Sequence, residues 1–145
     1  MIALASDHAG FLYKEQIKRL LDKLKLPYKD FGPSNNDSTD YPEWGHLAAD
    51  AVSRGECDMG VLVCGTGIGM SIVANKHQGV RAAVCESVSA ARLARQHNNA
   101  NVLTIGERIT GWEAAVDIVK VFFSTPFEGG RHARRVDKIH SITKL

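Results

Sequence analysis

Three glycines stand at alternate positions, Gly65, Gly67 and Gly69, between an apolar run, Met59 to Cys64, and a helical stretch, Met70 to Lys76. Alternating glycines let the backbone adopt positive φ and bring several N–H groups to bear on one anion. The helix start behind them adds about half a unit of positive charge. The loop from Gly65 through Thr66 and Ile68 to Gly69 is thus a cradle for a phosphate, a carboxylate or an oxyanion that forms during reaction. Cys64 ends the run immediately before it. A thiol that faces a helix N-terminus favours its thiolate, which makes Cys64 a candidate base or nucleophile. Cys57 and Cys85 lack that placement and are expected to be buried packing residues.

Other uses of such a loop can be weighed. No Gly-Lys-Ser/Thr follows, which excludes a P-loop. A dinucleotide fingerprint needs G-x-G-x-x-G, and the third position here is Met70. Glu86 does lie about where the ribose-binding acid would be expected, so that reading stays open.

Asp7-His8 closes the first apolar run. Asp7 alone reads as a helix cap, but beside the glycine loop both side chains would point into one crevice. His97-Asn98 ends a helical stretch, where a histidine is commonly just a polar terminal residue. His46, His77 and His140 carry no motif. No H-E-x-x-H or comparable ligand spacing supports a metal. In the C-terminal stretch GGRHARRVDKIHSI, Arg131 and Arg135 share a helical face with Ile139 and Ile142, whereas Arg134 and Lys138 are displaced. Arginine presents a rigid fork suited to phosphate, so Arg131 and Arg135 read as anion binders.

The elements that must hold these groups follow from hydrophobic period. Strands are expected at Ile2–Ser6, Tyr28–Phe31, Met59–Cys64, Val80–Cys85 and Val102–Ile105. Helices are expected around Ile17–Leu24, Trp44–Arg54, Met70–Lys76, Ser87–Gln96, Trp112–Phe123 and Arg131–Ile142, with a polar loop at Ser34–Pro42. Strands rich in Val, Ile and Ala, each followed by a helix, predict an α/β fold with a parallel sheet covered on both faces. Ligands of such folds sit outside the carboxyl ends of the strands. That rule selects Asp7-His8, the Cys64–Gly69 loop, Glu86 and Gly106-Glu107-Arg108.

The chain has 145 residues, 44% hydrophobic and 23% charged, which fits one folded domain, 1–145. A net charge of +2 does not mark a general nucleic-acid binder. Three cysteines without C-x-x-C point to a reducing compartment. No signal peptide or membrane span is legible, so a cytoplasmic protein is expected.

Taken together, SDHAG, TDYP, VCGTGIGMSIVANK, RAAVC, ARQHNNANVL, GER and EGGRHARRV resemble the type B ribose-5-phosphate isomerases, with the related allose- and galactose-6-phosphate isomerases. The segments cover the chain nearly end to end. The resemblance implies a three-layer α/β/α Rossmann-like sandwich with a five-stranded parallel sheet. It implies reversible isomerisation of ribose 5-phosphate and ribulose 5-phosphate through a cis-enediol(ate), in non-oxidative pentose phosphate metabolism, without metal or organic cofactor. On this resemblance Cys64 is the base, and Thr66 with the amides of Gly65 to Gly69 holds the enediolate oxygens. His97 opens the sugar ring with help from Asp7, Asn98 contacts the sugar and Tyr41 lines the pocket. His8, Arg108, Arg131 and Arg135 bind the phosphate. The resemblance also implies a homodimer with a shared site, His97, Asn98 and Arg108 coming from the partner, with pairing into a tetramer left open. Some family members use a glutamate just after the last glycine; Met70 stands there, so Cys64 has no substitute.

Two other functions fit the residues. A hexose-6-phosphate (allose or galactose) isomerase would differ only in pocket depth. A non-catalytic phosphate-binding module would bind without turnover and gives the thiol no purpose. A dehydrogenase fragment is a third reading, for which the chain has no room for a substrate domain.

Overall fold

The computed structural model describes residues 1–145. Five strands form one parallel sheet: β1 (Ile2–Ser6), β2 (Tyr28–Asp30), β3 (Met59–Cys64), β4 (Ala82–Val84) and β5 (Val102–Gly106). Their spatial order is β2-β1-β3-β5-β4. Six helices join and follow them: α1 (Phe11–Lys23), α2 (Tyr41–Ser53), α3 (Ile68–Ala74), α4 (Val88–Asn98), α5 (Trp112–Ser124) and α6 (Arg131–Thr143). A 3-10 turn, His8–Gly10, leads into α1. No helix is long and apolar enough to cross a membrane.

Successive strand residues face opposite sides of a sheet, and β1 uses this to sort by size. Ile2 and Leu4 pack with Val61, Val63, Leu103 and Ile105 under α1, α4 and α5. Ala3 and Ala5 face the other way, with Leu62 and Cys64, under α2 and α3. There α2 answers with Ala48, Ala49, Ala51 and Val52, small residues that let helix and sheet approach with little side chain between them. The result is the expected α/β/α sandwich. The chain leaves β1 for β2 on one side, then crosses to β3 on the other, using α1 on one face and α2 on the opposite face. The carboxyl ends of β1 and β3 therefore bound the crevice where such sheets bind ligands.

Several element bounds differ from the sequence expectation. Helix α2 begins at Tyr41 rather than Trp44, because Pro42 has no N–H to lose in a first turn. Helix α3 begins at Ile68, so Gly69 belongs to its first turn. Strand β4 is confined to Ala82–Val84 at the sheet edge. Helix α4 runs on through His97 and Asn98 and stops at Asn99, which takes the left-handed conformation.

Polar groups also fasten α1 to β2. The Lys14 side chain is fully buried; its Nζ lies 2.6 Å from Asp30 Oδ2 and 3.1 Å from Glu15 Oε1. Lys18 reaches the same Asp30 oxygen at 3.0 Å. Burial opposes ionisation of Asp30, but Lys14, the Gly32 amide and Lys18 more than offset it and hold its carboxyl below the ordinary range. Removing one member of a buried pair strands the other charge, at about 3–5 kcal/mol. Asp30→Ala is expected to cost about 3 kcal/mol in urea unfolding, since Glu15 still faces Lys14. Because the folded value is lowered, this stability is fully present above the unfolded carboxylate range. It is lost as pH falls through the folded value, and the variant's pH–stability curve should be flatter there.

Candidate active site

The carboxyl ends of β1, β3 and β5 are held by backbone bonds that continue past the strands. Asp7 N–H donates to Val63 O, Glu107 N–H to Cys64 O and Arg108 N–H to Gly65 O. Gly67 takes φ +77, and a Cβ there would lie 3.0 Å from Ile105 C. Gly106 is tighter still, since a Cβ would lie 2.5 Å from Thr66 C. Only glycine fits either place.

A cleft of about 210 Å³ opens on this edge, lined by Asp7, His8, Ala9, Tyr41, Cys64, Gly65, Thr66, Gly69 and Arg108. Cys64 is buried, and its Sγ accepts the Gly67 N–H at 3.1 Å. Thr66 Oγ1 accepts the Ile68 N–H at 3.2 Å. Two of the amides expected to hold an oxyanion are therefore engaged with the loop's own side chains, and an arriving oxygen must compete for them. Gly67 and Ile68 shape the loop without forming the cleft wall. The Tyr41 ring lies over Gly69, where a Cβ would meet it at 2.8 Å.

Asp7 does cap the turn, its Oδ1 accepting the Gly10 N–H at 3.0 Å, and it also faces the cleft. The cap and crevice readings hold together. His8 is anchored by Thr39: its Nδ1 lies 3.0 Å from Thr39 O and 3.2 Å from Thr39 N. One tautomer donates to the carbonyl and the other accepts from the amide, so either way the ring stays fixed. Arg108 sits on its own chain's glycine loop, with one guanidinium nitrogen 3.3 Å from the Cβ position of Gly65. This corrects the expectation that Arg108 comes from a partner. Arg108 follows β5, which lies between β3 and β4, so the turn after β5 reaches the loop after β3.

Four expected site residues lie elsewhere. Helix α4 starts at the carboxyl end of β4 and runs back to the amino end of β5, so His97 and Asn98 reach the opposite edge of the sheet. A five-residue strand spans about 17 Å, too far for either to meet Cys64 in one chain. Asn98 lines a separate hollow with Arg81, Ile139 and His140. Arg131 and Arg135 are exposed on α6, whose buried side carries His132 and Val136 instead. The face they share with Ile139 and Ile142 is open, those two residues being 43% and 77% exposed.

The sequence reading missed a second cluster. His97 stacks on His132 at 4.3 Å and 9°, and His132 Nε2 lies 3.4 Å from Glu128 Oε2. Donor atoms of the three lie within 4.8 Å of one another. Parallel stacked imidazoles point their lone pairs side by side, so this arrangement does not aim both rings at one ion. Burial, with the charges of His97 and Arg131, pushes the His132 imidazole down, against the pull of Glu128. Only the i, i+4 spacing of Glu128 and His132 was visible in sequence.

A thiol, a glycine loop and an unpaired guanidinium at a topological switch point define a small α/β protein built to act on an anionic substrate. Residues 2–139 match the Ribose/Galactose Isomerase family, and the chain belongs to that family. It is 45% identical over 141 residues to ribose-5-phosphate isomerase B of Escherichia coli, covering 97% of this chain and 95% of that protein. The structure is similar to that of ribose-5-phosphate isomerase B from Clostridium thermocellum, with a TM-score of 0.96, 49% identity, and coverage of 99% and 97% of the two chains. It is also similar to the Mycoplasma genitalium enzyme solved with bound ribulose-5-phosphate, with a TM-score of 0.94, 43% identity, and coverage of 99% and 95%.

The three thiols are all free. Burial pushes Cys85 up to about 11 and, with Glu56, raises Cys57. Both therefore stay protonated and unreactive at pH 8, whereas Cys64 opens on the cleft. Brief alkylation of the folded protein at pH 8, mapped by peptide mass spectrometry, should modify Cys64 and spare the other two.

Proposed function

We propose that this chain is an aldose–ketose isomerase that interconverts ribose 5-phosphate and ribulose 5-phosphate. The observation that carries the reading is Cys64: its sulfur is fixed by the Gly67 amide and shares one cleft with Asp7, His8, Thr66 and Arg108. In the open-chain aldose the Cys64 thiolate takes the proton from C2. The electron pair forms the C1–C2 double bond, and the carbonyl pair moves to O1. Loop donors and Thr66 stabilise that enediolate, and O1 takes up a proton. Cys64 returns its proton to C1 as the O2 proton leaves, giving the ketose. Such stabilisation acts only where charge develops, which is what accelerates the step. Arg108 and His8 contact the phosphate and Tyr41 covers the sugar.

The remaining roles need a second copy. His97 as ring opener, Asn98 as sugar contact, and Arg131 and Arg135 as phosphate ligands all lie at the far edge of the sheet from Cys64. A homodimer that sets the α4–α6 edge of one protomer against the cleft of the other brings them together. The open Arg131–Arg135–Ile139–Ile142 face of α6 supports this reading. The three free cysteines support a reducing, cytoplasmic setting.

The test is a coupled assay of ribose 5-phosphate, allose 6-phosphate and galactose 6-phosphate side by side, with a chelator present. Turnover is expected to favour ribose 5-phosphate and to persist with the chelator. Preference for a hexose phosphate would move the assignment to the hexose isomerases, and binding without turnover would leave a phosphate-binding module. Cys64→Ala should lower kcat by about 10²–10⁴-fold with KM little changed. A folded variant with normal kcat would remove Cys64 as the base.

The shared site has its own consequence. Cys64→Ala and His97→Ala should each be nearly inactive, yet co-refolding them should restore about a quarter of wild-type activity, because half the dimers are mixed and each holds one intact site. No recovery above the two parents would place both residues in the same protomer's chemistry, or show that His97 has none.

A further inference from the structure

The start of α1 is served by two carboxylates from elsewhere and by no side chain of its own cap, Gly10. Asp7 takes the Gly10 N–H. Glu107 Oε2 takes the Tyr13 N–H at 3.1 Å, from a residue 94 positions away. The main chain of Glu107 meanwhile donates to Cys64 O at 2.9 Å. One residue thus reaches both sides of the cleft: its backbone holds the end of β3, and its carboxylate holds the first turn of α1, which directly follows the Asp7–His8 turn. Tyr13 adds a second tie, its hydroxyl donating to Thr110 O at 2.7 Å. Glu107 itself does not line the cleft.

Position 10 cannot carry a capping side chain, because a Cβ there would lie 2.6 Å from the Val63 backbone. The Tyr13 amide is served instead from the segment that follows β5. Here burial, and the negative charge of Asp7, push the Glu107 carboxyl up, against the Tyr13 amide and Arg108, so the residue is held in an unfavourable place. What the arrangement adds to the Asp7 N–H to Val63 O bond is a second tie, from the segment after β5 to the start of α1.

We propose that Glu107 is a positioning residue of this site, fixing the Asp7–His8 turn relative to Cys64 through the Tyr13 amide. The inference rests on the isomerase reading above, in which Asp7 and Cys64 act on one sugar from different strands. Misplacing reacting groups by about 1 Å can cost about 10²-fold in rate.

Glu107→Gln keeps an oxygen for the Tyr13 amide, whereas Glu107→Ala removes it. Tyr13→Phe removes the second tie and keeps the ring packed on Trp112. Each is measured for kcat on ribose 5-phosphate, for thermal melting, and for hydrogen exchange at the Tyr13 amide. Glu107→Ala is expected to lose Tyr13 protection and about 10- to 100-fold in kcat well below its melting temperature. Glu107→Gln should keep both, and Tyr13→Phe should lose a smaller factor in kcat. A folded Glu107→Ala with normal kcat overturns the proposal. So does Glu107→Gln as slow as Glu107→Ala, because charge rather than the tie would then be at work. If Glu107→Ala does not fold, the other two decide: an active Glu107→Gln with an impaired Tyr13→Phe supports the tie, and any other pairing overturns it. Wild-type protein that turns over no sugar phosphate would instead sink the isomerase reading, whatever Tyr13 exchange shows.

Discussion

Where the loop after β3 meets the end of β5, the two backbones lie in contact with no side chain between them. Gly106 has no room for a Cβ against the Thr66 backbone, and Gly67 turns back against Ile105 with positive φ. The rest of the site depends on that contact. It lets the ladder continue beyond the strands through Cys64 O and Gly65 O. It also aims the Gly67 amide at the Cys64 sulfur. The sulfur's position is therefore set by main-chain geometry, which loses little entropy when substrate arrives. A site held this way approaches the tolerance of a few tenths of an ångström that efficient proton transfer demands.

The same parallel topology divides the chemistry between two edges of the sheet. Every strand end that faces the cleft contributes: β1 gives Asp7 and His8, β3 gives Cys64 and its loop, and β5 leads to Arg108. Helices between parallel strands must run the other way, so their last residues gather at the opposite edge. His97 and Asn98 are the last two residues of α4, and their distance from Cys64 follows from connectivity rather than from any detail of packing. On the reading proposed here, a lone protomer has half a site. A two-fold axis then solves the problem twice, since each copy both lends and receives the missing edge.

Much of this was legible in the residues themselves. Period and composition gave the five strands and six helices because each pattern is local. The sheet-end rule picked out Asp7, Cys64 and Arg108 because topology, not sequence detail, decides where strand ends lie. What escaped was long-range. The Val80–Cys85 and Val102–Ile105 runs look alike, so nothing local said that β5 would insert between β3 and β4. That order is what brings Arg108 onto its own glycine loop. Thr39 holding His8, His132 stacking on His97, and Glu107 reaching Tyr13 are contacts between residues at least 31 positions apart. None leaves a signature in either segment alone. The resemblance supplied roles for His97 and the arginines that a single chain's geometry does not assemble.

The charges sort by the same logic. Around β2, Lys14, Lys18, Glu15 and Asp30 neutralise one another within 3.1 Å, and the cluster has nothing left to offer a ligand. Arg108 is the contrast. It forms no ion pair, although Glu107 precedes it in the chain and feels its charge. Glu107 accepts the Tyr13 amide, and Asp7, in the same cleft as Arg108, accepts the Gly10 amide; neither forms an ion pair with the guanidinium. An unpaired guanidinium beside a cleft attracts a dianion more strongly than one that must first break a salt bridge. The carboxylates that fix the geometry of the cleft thus also keep its cation free.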